Sequence, residues 1–251
     1  MTSPWVALPA GIVIATLANM IGIGGGLLWA PFLILVAGLE PSIAVTTSLV
    51  IQIAGMGSGA TTVLYTRKSE PRVAMVIAAS AIPGVAVGFL LRSLIEARSM
   101  IFLLGTASLA AALLFVSVRE DYNFLPRKDV QLSAVFPYLW IPPLLSVMTG
   151  LLSTGIGEYM VPILRGKMNM KMDAAIGTCL VVMTINACVA AGLYAFAGSG
   201  LAAPTACYGV AGVIVGGQIG PRLTDKIPDQ TLKEVFIFGL SLMGIHLLFN
   251  A

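Results

Sequence analysis

Charge is scarce in this chain. Asp, Glu, Lys and Arg make up 10% of its 251 residues, against 58% hydrophobic, whereas a water-soluble chain carries about a quarter of its residues charged. That deficit excludes a soluble enzyme or soluble binding domain and leaves a membrane protein. Histidine occurs once and cysteine three times. The sequence therefore lacks the His/Cys clusters of zinc or haem sites and the cysteine density of a disulfide scaffold. Cys179, Cys188 and Cys207 sit inside apolar stretches and are expected to be small buried hydrophobes. No cofactor and no metal are implied. The net charge is only +3, and the basic residues punctuate apolar runs without gathering into a patch, so they read as topology signals and not as a nucleic-acid surface. No Lys or Arg lies between Met1 and the first apolar run, so that run is expected to stay in the mature protein, with no cleaved leader.

What is present is long hydrophobic runs. Crossing about 30 Å of hydrocarbon takes about 20 helical residues, and stretches of that kind run approximately 42–65, 73–91, 99–118, 174–197, 202–221 and 232–249. They predict six spanning helices in contact with membrane lipid. Two further stretches, 5–37 and 134–164, are too long for one crossing and short for two. Each is broken near its middle by glycine, at Gly22-Ile23-Gly24-Gly25-Gly26 and between Gly150 and Gly157, where each glycine costs a helix interior about 1 kcal/mol. Both are expected to be hairpins of two short helices.

The breaks also reveal a repeat. An offset of 131 residues, without a gap, aligns Gly24, Gly26, Pro31, Leu33, Ala44, Thr47, Leu49 and Val50 with Gly155, Gly157, Pro162, Leu164, Ala175, Thr178, Leu180 and Val181. Further on, Gly84-x-x-x-Gly88 matches Gly216-x-x-x-Gly220. The chain divides into halves, 1–120 and 134–251, joined by a polar cytoplasmic linker over 121–133. Lys and Arg favour cytoplasmic loops. If each broken segment enters and leaves on one side, one face receives 12 of the 14 basic residues and only Arg92 and Arg98 fall on the other; single crossings would split them 6 against 8. The hairpin arrangement gives each half an odd number of passes and predicts that the halves are inverted. Both termini then face away from the cytoplasm. The expected fold class is an all-α polytopic membrane protein of two inverted repeats, each a broken-helix hairpin plus three transmembrane helices.

Gly24, Gly25 and Gly26 place backbone amides at the start of a short helix, and Gly155 and Gly157 do the same in the second half. Helix N-termini hold anions, although glycines also serve tight turns and close packing in lipid. Thr46, Thr47 and Ser48, with Thr178 as the aligned partner of Thr47, offer hydroxyls to an oxyanion or back-bond to their own helix. The amides of Gln52, Asn186 and Gln218 must find partners inside the bilayer, as substrate contacts or as glue between helices. Glu158, directly after Gly157, is a candidate for proton coupling, with a dipole-stabilising carboxylate or a salt-bridge partner as alternatives. With one histidine and no metal-ligand cluster, no catalytic site is expected and the chain reads as a carrier and not an enzyme. The anion itself stays open at this level, as do export, uptake and channel conduction.

The runs Gly22-Ile23-Gly24-Gly25-Gly26-Leu27-Leu28-Trp29-Ala30-Pro31 and Ala44-Val45-Thr46-Thr47-Ser48-Leu49, with Tyr65-Thr66-Arg67-Lys68, Pro83-Gly84-x-x-x-Gly88 and a degenerate second copy, resemble the sulfite exporter TauE/SafE family over nearly the whole chain. The resemblance implies a secondary transporter in the cell inner membrane that exports a small anionic substrate, sulfite or an organosulfonate such as sulfoacetate. The second half departs from the Gly-rich pattern at Ser153-Thr154-Gly155-Ile156-Gly157-Glu158-Tyr159, so unequal halves are expected.

Overall fold

The computed structural model describes residues 3–21, 24–66, 69–117, 132–168, 170–223 and 229–249, with the side chains of some helical residues excepted; the proposed linker lies almost wholly outside them. Among the described residues there is no strand. Ten α-helices follow in order: α1 (Ala7–Ile21), α2 (Gly26–Leu35), α3 (Pro41–Tyr65), α4 (Pro71–Leu91), α5 (Ala97–Ser117), α6 (Ile141–Leu152), α7 (Gly157–Met168), α8 (Met172–Phe196), α9 (Ala203–Leu223) and α10 (Asp229–Phe249). Among the described residues three stretches are long and apolar enough to cross a membrane: Pro41–Tyr65, Pro71–Leu94 and Asp173–Phe196. The other expected spans fall on α5, α9 and α10, 21 residues each, which are not among those three. Proline at the first position starts α3 and α4, where its missing N–H costs nothing.

The helix boundaries follow nearly the same offset as the sequence. α3 and α8 each hold 25 residues at an offset of 131, and α4 and α9, like α5 and α10, each hold 21 at an offset of 132. Packing exchanges partners between halves: α1 lies chiefly on α9, and its counterpart α6 lies on α4. The glycine pairs explain why. A methyl group on Gly84 or Gly88 would overlap the carbonyl oxygens of Pro143 and Val147, and one on Gly216 would overlap that of Ile12; on Gly220 it would stand 2.7 Å from that of Thr16. Positions 12 and 16 are the equivalents of 143 and 147 at the 131-residue offset. Small residues let backbones touch, which drives helix association where lipid and helix are equally apolar.

These contacts fix local directions. The successive pairs 8 with 212, 12 with 216 and 16 with 220 run α1 along α9, and 84 with 143 and 88 with 147 run α4 along α6. Gly105 meets Leu248 while Gly244 meets Leu109, so α5 and α10 run opposite ways. The core is continuous across α3, α4, α6, α7 and α8, with Leu152, Ile156, Leu164 and Leu180 fully enclosed. One sequence expectation needs correction. Cys179 is buried, but Cys188 and Cys207 are exposed on the outside of α8 and α9. An apolar outer face suits cysteine as well as a core does when the surrounding solvent is lipid.

Candidate functional site

The two breaks meet. Gly24 and Gly155, equivalent positions of the repeat, touch at the buried centre: a methyl on Gly155 would stand 2.6 Å from the Gly24 Cα and 2.7 Å from the Met183 sulfur. Only hydrogen fits there. α2 and α7 begin immediately after this contact, and their first turns close in the same way. The Gly25 carbonyl accepts the N–H groups of Leu28 (3.1 Å) and Trp29 (2.7 Å), and the equivalent Ile156 carbonyl accepts those of Tyr159 (3.2 Å) and Met160 (2.9 Å). Two helix N-termini, each a partial positive charge, thus start from one buried place. Gly26 and Gly157 are their first residues, and Gly26 lies so close to the Ser153 carbonyl that a Cβ would overlap it.

Around the contact lies a fully buried polar cluster. α6 ends at Ser153, whose φ of 62° makes it the only non-glycine residue with positive φ among those described. A side chain there carries a strain of about 1–2 kcal/mol. The conformation turns both the carbonyl and the hydroxyl of Ser153 toward α3. The Gln52 amide donates to the Ser153 carbonyl (2.9 Å), to the Ser153 hydroxyl and to the Ser48 Oγ (2.9 Å), and the Ser153 hydroxyl donates to Ser48 (3.0 Å). The second break is thereby tied to the middle of α3. Beside it, a cavity of about 10 Å³ is lined by Asn19, Gly25, Trp29, Gln52 and Gly55, room for about one water molecule.

The aligned threonines do something unforeseen. Thr47 Oγ1 accepts the N–H of Ala202 (3.1 Å), just before α9, and Thr178 Oγ1 accepts that of Glu70 (3.0 Å), just before α4. Each caps the start of a helix in the opposite half. Thr47→Val and Thr178→Val should each lower stability by about 1 kcal/mol, seen as a small drop in the melting temperature of the detergent-purified protein; unaltered melting of both would argue against this pairing. Thr46 back-bonds to the Ser42 carbonyl (3.1 Å). Asn186 is 1% exposed and neither atom of its amide has a hydrogen-bond partner. Gln218 is not brought to the breaks; it is exposed on the outer side of α9, beside the exposed Ile214, Val215 and Ile219. The backbone of Glu158 lies in the first turn of α7, and its side chain lies outside the described residues.

Several participants escaped the sequence reading. Ser153 is one, because nothing in the string of residues marks a left-handed serine. Asn19 is another, although an amide one turn before the first break was a visible signal; its Nδ2 donates to Ala15 (2.8 Å) while its Oδ1 has no partner. Arg92 is a third. Its guanidinium stacks on Phe89 (4.2 Å) and Tyr194 (4.3 Å) and donates to Ser199 (2.8 Å), while the Tyr194 hydroxyl donates to the Gly150 carbonyl in α6 (2.9 Å). This clasp holds the last turns of α6, beside the polar cluster, to the far ends of α4 and α8.

Backbone left open in a membrane is tolerated where it is enclosed by protein or lines a cavity, and broken helices meeting in the interior are the architecture of membrane transporters. The family model of the sulfite exporter TauE/SafE matches residues 7–247, and the chain belongs to this family of membrane transporters for sulfite and related sulfur anions. No curated protein and no solved structure matches the chain.

Proposed function

We propose that the chain is a secondary transporter that moves a small sulfur-containing oxyanion, sulfite or an organosulfonate such as sulfoacetate, out of the cytoplasm across the inner membrane. The observation that carries this reading is the meeting of Gly24 with Gly155, because it brings two helix N-termini to one enclosed place in a chain of this family. The amides of Gly24, Gly25, Gly26, Gly155 and Gly157 would face the anion, with Ser48, Gln52 and Asn186 nearby. Thr47 and Thr178 would hold the starts of α9 and α4, Thr46 would back-bond within α3, and Glu158 would be the group that takes a proton if export is coupled. Coupling is optional, since an inside-negative potential already drives an anion outward by about 2.3 kcal/mol per charge per 100 mV.

The halves 1–120 and 134–251 would be inverted repeats, each a re-entrant hairpin and three spanning helices, rocking against one another to alternate access. Support comes from the Thr47 and Thr178 bonds. The start of α3 lies near the end of α8, and the start of α8 near the end of α3, so equivalent helices run opposite ways. The test combines topology and flux. In a variant without native cysteines, Ser199→Cys should react with an impermeant maleimide from outside intact cells and the exposed Thr66→Cys only after the membrane is opened. Proteoliposomes should release preloaded sulfite or sulfoacetate faster than protein-free vesicles, and release should accelerate when the interior is made negative. Labelling of both sites from one face, or flux equal to that of empty vesicles, would refute the proposal.

A further inference from the structure

Unmet hydrogen-bonding capacity is densest around the second break, although the Asn19 Oδ1 and the Ser69 hydroxyl of the first half also lack partners. Thr149, Thr154 and Asn186 are 4%, 1% and 1% exposed, and the Thr149 hydroxyl, the Thr154 hydroxyl and both atoms of the Asn186 amide have no hydrogen-bond partner. Buried polar groups in folded proteins are paired with few exceptions, and each exception calls for an explanation. These three flank the second break. Thr149 is in the last turn of α6, its carbonyl accepting the Ser153 N–H at 3.0 Å. Thr154 lies inside the break, between Ser153 and Gly155. Gly155 abuts Met183, and Asn186 is three residues further along α8, on the same side of the helix.

The repeat places them a second time. The cavity of the first half is lined in part by Ala18 and Gly55, and an offset of 131 puts Thr149 and Asn186 at those two positions. The polar pair next to the first break, Ser48 and Gln52, becomes Cys179 and Met183 in the second. Beside the first break Ser48 and Gln52 are satisfied through Ser153, with the Asn19 Oδ1 left over, while around the second Thr149, Thr154 and Asn186 leave four polar atoms without a partner.

We propose that Thr149, Thr154 and Asn186, at the N-terminus of the 12-residue α7, form the lobe that receives the oxygens of a singly charged sulfo group; the proposal rests on the export reading above and assigns recognition to the second half. Its donors are two hydroxyls, a side-chain amide and the positive end of a helix. No Lys or Arg occurs between Lys128 and Arg165, between Lys171 and Arg222, or before Arg67, so these three segments bring no cation, and the Arg92 guanidinium, which reaches the end of α6 through Tyr194, is stacked on Phe89 and Tyr194 and donates to Ser199. A helix terminus supplies about half an elementary charge, and the cost of dehydrating an ion rises with the square of its charge. The lobe thus favours hydrogensulfite and sulfonates over sulfate.

The full-length protein in detergent, titrated with methanesulfonate, tests this. Wild type should melt at a higher temperature as methanesulfonate or hydrogensulfite is added, with sulfate producing little change. Thr149→Val, Thr154→Val and Asn186→Leu should each weaken the apparent affinity tenfold or more. The same variants should melt about 2–4 °C higher than wild type without ligand, because each removes a stranded polar group. Variants that melt lower and keep the wild-type response to methanesulfonate would show these side chains to be structural and overturn the lobe. A wild-type response to sodium chloride against choline chloride, with none to methanesulfonate, would make it a cation site and overturn the proposal. If wild type neither responds to these anions nor transports them, the export reading fails with it; transport by wild type with unchanged affinity in all three variants refutes the lobe alone.

Discussion

Gly26→Ala should abolish transport and strongly destabilise the protein. The added methyl group would overlap the carbonyl oxygen of Ser153 and stand 2.7 Å from the Gln52 amide nitrogen. The first obstacle is backbone, held by the left-handed turn that ends α6, and cannot rotate aside. Overpacking a well-filled interior costs about 1–3 kcal/mol, and with a backbone atom as the obstacle the cost belongs at the top of that range or above. Gly192→Ala is the control: nothing lies within 4 Å of its Cβ position, and alanine is the better helix former by about 1 kcal/mol. Thermal melting and sulfite flux should fall together in Gly26→Ala and stay level or rise in Gly192→Ala. Wild-type behaviour of both variants would mean that α2 and the second break do not touch.

Gln52→Leu should have the second-largest effect, for the opposite reason. Nothing is crowded; instead the Ser153 carbonyl and the Ser153 hydroxyl lose their donor, and the Ser48 hydroxyl keeps only that from Ser153, in a site where all three residues are at most 3% exposed. An unsatisfied buried group costs about 1–3 kcal/mol, so the variant should lose more than one such increment and should free the second break from α3. Gln52→Glu refines the test. When ionised, the introduced carboxylate cannot donate to Ser153 and adds a negative charge where an anion must pass; when protonated it has one O–H to donate. Flux through this variant, relative to wild type at the same pH, should recover as pH falls. A constant ratio across pH, or a Gln52→Leu variant with wild-type melting and flux, would remove the Gln52–Ser153 tie from the mechanism.

Both expectations depend on Ser153, and Ser153 shows where reading the chain as a string stopped. The broken segments, the repeat at 131 residues and the helix boundaries were legible because glycine in an apolar run is costly and hydrophobic length maps directly onto a bilayer. Thr47 and Thr178 were legible as a pair. Their partners were not, because each bonds to an N–H of the other half, more than 100 residues away in sequence. Asn186 and Gln218 looked alike, as amides within apolar helices. In the fold one is sealed in without a partner and the other is exposed on the outside of α9.

The sequence by itself determined that the chain is an apolar, all-helical membrane protein, roughly where its helices run, and the two places where glycine breaks them. The tertiary structure alone decided which faces point inward. In water, polarity separates the outer face of a helix from the inner one; here lipid and protein interior are both apolar, so hydropathy carries no record of which side meets a neighbour. That choice fell to small residues such as Gly84 and Gly216, whose missing side chains let backbones touch, and to single hydrogen bonds between distant segments, such as that from Gln52 to Ser153.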